Sequence, residues 1–220
     1  EHLDTIKKSG KSKPMIFLGD EAQMQSIDES SLMSPASRRM YRTTPVSTSY
    51  RSSVFQIDDL RNAFRYKLVN SGEPINFPKL FSDNIDGRLV GAKYASGEDG
   101  IIKDFFESKS KSKALIFLRA EDVEAFYRSI QDGKRKVDWE KVKNHIFILE
   151  TNLEIDSDPV IGGVEIKSIQ GMSVDEAYVN ISFNDLGGIG NKTLPGRAGL
   201  TAVSRARNFV SLIGPTEMNM

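Results

Sequence analysis

Near the C-terminal end of the chain, Arg205 and Arg207 stand two residues apart among small side chains, in Leu200-Thr201-Ala202-Val203-Ser204-Arg205-Ala206-Arg207. The pattern predicts an amphipathic helix over 200–207, and on a helix residues two apart are rotated by about 200°. Both guanidinium groups therefore cannot point the same way. One can reach a ligand across a cleft while the other braces the helix or meets a second phosphate. A cation delivered to charge developing on a transferring phosphoryl group is the chemistry such an arginine serves. Gly199, Ala202, Val203 and Ala206 predict close packing on at least one side; the competing explanation is a solvated face.

Three further clusters have chemical potential. In Gly19-Asp20-Glu21-Ala22-Gln23 the glycine lets the chain turn sharply, and Asp20 and Gln23 then project where an apolar run ends. An Asp there can accept from a metal-bound water, and a Gln can donate to a phosphate oxygen or orient a water. The same residues are also ordinary turn formers that satisfy local backbone groups. Arg51, in Ser49-Tyr50-Arg51-Ser52, offers a guanidinium fork just ahead of a helical pattern, or a salt bridge at the helix start. In Lys167-Ser168-Ile169-Gln170-Gly171-Met172-Ser173-Val174, Gly171 permits a tight turn while Ser168, Gln170 and Ser173 present hydroxyl and amide groups suited to phosphate or ribose. The alternative is a polar crossover with a helix cap at Ser173.

The elements that must position these residues follow from periodicity. The opening ten residues read as the end of a helix stopped at Gly10, and Met15-Ile16-Phe17-Leu18 as a short strand. Residues 28–49, rich in Ser, Thr and Arg with Pro35 and Pro45, have the composition of a connector, which places a boundary near residue 45. Val54, Ile57, Leu60, Ala63, Phe64 and Leu68 recur at three or four and predict a helix covering a sheet. Strands are predicted near 88–90, at 114–118, 145–149, 164–167, 177–181 and 209–213, with a helix over 121–131. Residues 70–100, otherwise rich in Gly, Asp and Asn, give little pattern. Strands alternating with helices imply a mostly parallel sheet with helices on its faces, an α/β fold. Ligands of such sheets bind beyond the carboxyl ends of the strands.

Composition bounds the answer from outside. The 220 residues suffice for a large core, and 30 Lys+Arg against 30 Asp+Glu give no net charge, which argues against a dedicated polyanion binder. The charge is unevenly placed: residues 1–70 carry 11 basic and 8 acidic side chains, residues 146–186 one basic and eight acidic. The absence of Cys excludes disulfides, thiolate metal sites and a Cys nucleophile. No window has the length of apolar sequence that a membrane-spanning helix needs.

In this order, the four clusters resemble the motifs of superfamily 1 helicases. Gly19-Asp20-Glu21-Ala22-Gln23 is similar to motif III, Ser49-Tyr50-Arg51-Ser52 resembles motif IV, Ile169-Gln170-Gly171-Met172-Ser173 resembles motif V, and Ala202 to Arg207 is similar to motif VI. The Gln-Gly form of motif V leans toward the helicases of positive-strand RNA virus replicases. The resemblance implies two RecA-like domains, with ATP and Mg²⁺ between them and a single strand of RNA (or DNA) running across them. On matching positions, Asp20 would lie near the metal-bound water and Gln23 near the γ-phosphate. Arg51 and Arg205 would bind the γ-phosphate, with Arg205 as arginine finger and Arg207 nearby. Gln170 and Gly171 would couple nucleotide to nucleic acid, which Ser168 and Ser173 would help to bind. Glu21 where Pro is usual, Ser204 for Thr, and Glu165 where viral members often have Thr are departures.

No Gly-x-x-x-x-Gly-Lys-Ser/Thr phosphate loop occurs, and no Asp-Glu pair precedes Gly19. The expectation is therefore a chain that begins after motif II. Residues 1–45 would be the end of the first RecA-like domain with its connector, and 46–220 the second RecA-like domain. Partners would be the missing N-terminal RecA-like domain and other replicase domains, in the host-cell cytoplasm, and the isolated chain would be inactive. Two alternatives stay open: a fragment of a cellular superfamily 1 DNA helicase, or a non-catalytic RecA-like binding module.

Overall fold

The computed structural model describes residues 20, 22, 44, 52, 54–70, 75–84, 91–149, 160–181 and 194–214. The expected strand at 15–18, the helix end before it and the connector around residue 45 fall outside these residues, apart from isolated positions. Helix α1 spans Phe55–Asn70 and α2 Phe77–Asn84. Then come β1 (Ala92–Tyr94), α3 (Glu98–Glu107), β2 (Lys113–Phe117), α4 (Ala120–Gln131), the single turn α5 (Trp139–Val142) with a short 3-10 turn, and β3 (Ile146–Ile148). The hairpin β4 (Val160–Ile161) and β5 (Val164–Glu165) leads into β6 (Lys167–Ser168), β7 (Val174–Asn180), α6 (Leu194–Val203) and β8 (Ala206–Ile213).

Among the described residues, six strands form one parallel sheet in the order β1-β8-β7-β2-β3-β6. The continuous apolar run of β2 is explained by its central place, because both of its faces are covered. Ala114, Ile116 and Leu118 join Ile57, Leu60, Phe64 and Leu68 of α1 and the buried face of α6. Leu115 and Phe117 turn the other way, onto Ile101, Ile102 and Phe105 of α3 and Val123 and Phe126 of α4. The α/β architecture of a helix-flanked parallel sheet, expected for a RecA-like domain, is thus present.

Three local readings are corrected. The helix placed over 200–207 ends at Val203, Arg205 lies in the turn that follows, and Arg207 is in β8. The helix begins earlier, at Leu194, and the side chains of Ser204 and Arg205 take up the Thr201 carbonyl of its last turn, at 2.7 and 3.1 Å. No helix follows Ser173, so the alternative of a helix cap there is ruled out, and β7 begins at the next residue. The run 164–167 is split by Ile166 between β5 and β6. Residues 88–90 lie outside the described set, and the strand of that region is Ala92–Tyr94.

The close packing expected around Gly199 is observed. A Cβ on this glycine would lie 2.7 Å from the ring of Phe64 and 2.8 Å from that of Phe77. Those rings meet edge to face at 5.3 Å, so α6 rests directly on an aromatic pair from α1 and α2.

Candidate functional site

The amino ends of β7 and β8 are where the sequence clusters meet. Val174 and Ala206, the first residues of the two strands, are register partners. Here the backbone of Arg205-Ala206-Arg207 is held at three successive carbonyls by three different parts of the chain. The Val174 N–H donates to the Arg205 carbonyl at 3.0 Å, Arg61 Nη2 donates to the Ala206 carbonyl at 2.8 Å, and Ser52 Oγ donates to the Arg207 carbonyl at 2.6 Å. Two separately identified clusters, through Ser52 and Val174, thus converge on the tripeptide of a third, together with Arg61 of α1. Ser52 also accepts the Val54 N–H at 3.0 Å, which sets the chain direction into α1.

The two arginines differ as their new positions dictate. Arg205 is only 4% exposed. Its Nε donates to the Thr201 carbonyl and to Ser204 Oγ, both at 3.1 Å, and its Nη2 donates to Ser204 Oγ at 2.7 Å. Its Nη1 reaches the Met172 carbonyl at 3.4 Å, a long contact. Arg207 instead projects outward, its side chain 53% exposed and its nearest carboxylate, on Asp175, 3.8 Å away. The expectation that the two cannot point alike holds, though a turn followed by a strand produces the divergence.

Gly171 is the third residue of the turn Ile169–Met172, closed by the Met172 N–H on the Ile169 carbonyl at 3.2 Å. Its φ of +80° is the value that this turn position requires and that side-chain-bearing residues disfavour. Gln170 is exposed, and its N–H donates to Ser168 Oγ at 3.2 Å. Ser168 is exposed on the edge strand β6, and Ser173 is half-buried at the entry to β7.

Asp20 meets α1, the helix that carries Arg61. One carboxylate oxygen accepts the Ala22 N–H at 3.1 Å, the local turn bond anticipated as its competing role, and the other forms an ion pair with Arg65 of α1. Gln23 and Arg51 lie outside the described residues. The structure ties Met172 and Val174, at the end of the Gly171 turn and the start of β7, to Arg205, sets Arg207 beside Asp175, and leaves Ser168 on the edge strand β6 beside Ile148 and Asp20 paired with Arg65 of α1.

Sequence reading missed Arg61, Asp58 and Arg65. Arg61 is 6% exposed, and its Nη1 pairs with Asp58 three residues earlier. A signal was available: position 61 falls inside the buried arc defined by Ile57, Leu60, Phe64 and Leu68, where an arginine must have partners.

A second polar cluster lies across the sheet, under α3. Glu176 of β7 accepts from Ser108 Oγ and, at 2.5 Å, from the Tyr178 hydroxyl. Burial, then the neighbouring Glu176, pushes the Tyr178 phenol well above its ordinary range, so it remains a donor. Lys113 Nζ donates to the carbonyls of Phe105 and Ser108 at 2.8 and 3.1 Å and sits 4.4 Å from the centre of the Phe105 ring. This cluster ties α3 to the sheet. Among the described residues no group of three or more His, Cys, Asp or Glu side chains could hold a metal ion.

No protein-family model matches the chain, and no curated protein matches it. Among solved structures, it is similar to the C-terminal domain of a possible DNA helicase from Lactobacillus plantarum WCFS1, at 13% identity and a TM-score of 0.38, over 78% of this chain and 90% of that one.

Proposed function

We propose that the chain is the C-terminal part of an ATP-dependent superfamily 1 RNA helicase of the positive-strand virus replicase type. It contributes an arginine and a strand-binding surface to a nucleotide site completed by an upstream RecA-like domain. The observation that carries this reading is the convergence of residues in or adjoining the motif IV and motif V resemblances on Arg205-Ala206-Arg207, the end of the motif VI resemblance. Chance likenesses scattered over a chain have no reason to fold onto one tripeptide.

In this reading Arg205 supplies positive charge to the γ-phosphate, and Arg207, already exposed, approaches a neighbouring phosphate. To do so, Arg205 turns outward from its turn and gives up its hydrogen bonds to Ser204 and Thr201 along with the longest one, to Met172. That carbonyl belongs to the Gly171 turn, so nucleotide contact and strand-binding loop would be coupled at one bond. Gln170, Ser168 and Ser173 would meet the nucleic-acid backbone, giving salt-sensitive and largely sequence-independent binding. Mg²⁺ would neutralise charge spread over the phosphates; the motif III resemblance assigns Asp20 to approach it through water, in competition with Arg65.

A non-catalytic RecA-like binding module is the second reading, favoured by the inward set of the Arg205 guanidinium. A cellular DNA helicase fragment differs from the first reading in its strand alone. All three are separated by measuring ATP hydrolysis by the polypeptide that supplies the phosphate loop, with and without single-stranded RNA or DNA, in wild type and Arg205→Ala. A motor should show stimulation that falls about a thousandfold in the variant. RNA preference supports the viral reading and DNA preference the cellular one. An inactive wild type would leave the binding module.

A further inference from the structure

We infer that Arg61 is the positioning residue for Arg205, a role that rests on the functional reading above but has its own structural test. The guanidinium group of Arg61 bridges two objects. Through Nη1 it is tied to Asp58 on its own helix, and through Nη2 it donates at 2.8 Å to the Ala206 carbonyl, one peptide unit beyond Arg205. It is the central member of the three-carbonyl clamp, and the one supplied by a side chain on a long helix. The flanking members come from the backbone of β7 and from Ser52 at the helix entry.

Geometry explains why an arginine is needed. A planar fork can hold a carboxylate with one terminal nitrogen and a carbonyl with the other, in fixed relative directions. An ammonium group at the same place cannot set both. With Asp58 fixing the fork on α1, the Ala206 carbonyl is fixed relative to the helix, and the direction of the preceding peptide, from which the Arg205 side chain departs, is fixed with it. Helix α1 is buried along Ile57, Leu60, Phe64 and Leu68, so it acts as a rigid bar between the Ser52 entry and the β8 start. Four residues beyond Arg61, Arg65 pairs with Asp20. The bar that positions Arg205 therefore also pairs with Asp20, which gives two residues of the proposed nucleotide site a common reference.

The test uses Arg61→Lys, which keeps the charge and the Asp58 pairing, and Asp58→Asn, which keeps the arginine but weakens its anchor. The first measurement is amide hydrogen exchange of the folded chain. In Arg61→Lys the Val174 amide, which donates to the Arg205 carbonyl, should exchange at least tenfold faster, while Leu115 and Ile116 in β2 keep wild-type rates. Asp58→Asn should give a smaller change at the same place. The second is ATP turnover in the polypeptide that supplies the phosphate loop. There Arg61→Lys should lower kcat about tenfold or more with KM within twofold, because the arginine is misdirected while ground-state binding persists. Unchanged exchange at Val174 would overturn the assignment. So would faster exchange with an unaltered kcat, which would make Arg61 merely structural. A wild type with no hydrolysis would bring down the functional reading instead, and the exchange result would then decide alone whether Arg61 sets the turn.

Discussion

The two ends of the parallel sheet are built from opposite materials. At the carboxyl ends, where open α/β sheets usually take their ligands, the chain continues apolar: Leu118 after β2, Leu149 after β3 and Ile181 after β7 are all buried. The ladder also runs on past the strands, with the Leu149 N–H on the Phe117 carbonyl and the Ile181 N–H on the Ile213 carbonyl, both at 2.9 Å. After β2 the chain proceeds toward β3 and after β7 toward β8, so the crevice between β2 and β7 is the switch point of the topology. Leu118 and Ile181 at its mouth belong to the core that also covers α1 and α6. At the amino ends stand Arg205, Arg207, Asp175, Lys113 and Ser112 instead. The difference teaches that the carboxyl ends of β2, β3 and β7 are a seal, beside which the edge strand β6 runs into the exposed Gln170-Gly171 turn, and that the amino ends of β7 and β8 are a face. That face carries one inward and one outward arginine, the arrangement on which the proposed function rests.

The largest expected effect sharpens the first half of that comparison. Leu149→Ala removes a wholly buried side chain from the seal and should cost about 2–5 kcal/mol in urea unfolding, with the cavity left behind setting the place in that range. A loss below about 1 kcal/mol would mean that the carboxyl end is not packed as a core and is open to a ligand after all.

Gly171→Ala addresses the face. Nothing lies within 4 Å of the Cβ it would add, so the substitution tests conformation without collision. At φ +80° an alanine should cost about 1–2 kcal/mol, read by thermal or urea unfolding. A neutral result would show that the turn accepts another backbone, and its tie to Arg205 through Met172 would lose significance. Ser52→Ala should follow at about 1 kcal/mol, the ordinary worth of a neutral hydrogen bond, because it deletes the outer member of the carbonyl clamp.

The comparison also explains what could be read in advance. The strand Ala114 to Leu118 was legible because a central parallel strand must be apolar on both sides. Helix α2 was not, because Pro78 argues for a break; yet it occupies the first helical turn, where a missing N–H costs nothing. The Gly162-Gly163 turn of the β4–β5 hairpin, with φ of +55° and +82°, was legible in principle as paired positive-φ residues. Around Arg205 the apolar spacing of Leu200, Val203 and Ala206 mimics a helix, and only side-chain capping of the last turn shows that it stops. Of the flagged run 168–174, Met172 and Val174 do meet Arg205; that Arg61 joins them is a tertiary fact, spanning 145 positions of sequence. Likewise no local pattern announces the pairing of Arg65 with Asp20.

Acidity gives a smaller, signed test at the carboxyl side. Asp122 accepts the Arg119 N–H at 3.1 Å at the start of α4, just beyond β2, yet burial raises its pKa above the ordinary 3.8 despite that bond and the Arg119 charge. A carboxyl whose pKa is higher folded than unfolded holds more protons in the folded state. Its contribution is therefore most favourable below the unfolded pKa and declines as pH rises through the window above 3.8. Glu98, raised above 4.5 by burial against the opposing charge of Arg135, has the same sign. Relative to Asp122→Asn, the wild type should lose stability as pH climbs from about 4 through that window, measured by urea unfolding at stepped pH. The opposite slope would mean that the hydrogen bond and the Arg119 charge outweigh burial.

The smallest expected effect bears hardest on the face. Arg207 is half-exposed and its contact with Asp175 is 3.8 Å long, so Arg207→Gln should change unfolding free energy by no more than about 0.5 kcal/mol. Its main-chain carbonyl, not its side chain, takes part in the clamp, and the substitution leaves the Ser52 hydrogen bond in place. A charged side chain that contributes nothing measurable to folding, carried on a backbone held at three consecutive carbonyls, is free to act on something outside the chain. On the proposed function, binding of single-stranded RNA or of nucleotide by the polypeptide that supplies the phosphate loop should therefore weaken in this variant while the melting temperature stays put. If stability falls instead and binding holds, Arg207 belongs to the fold, and the outward half of the comparison fails.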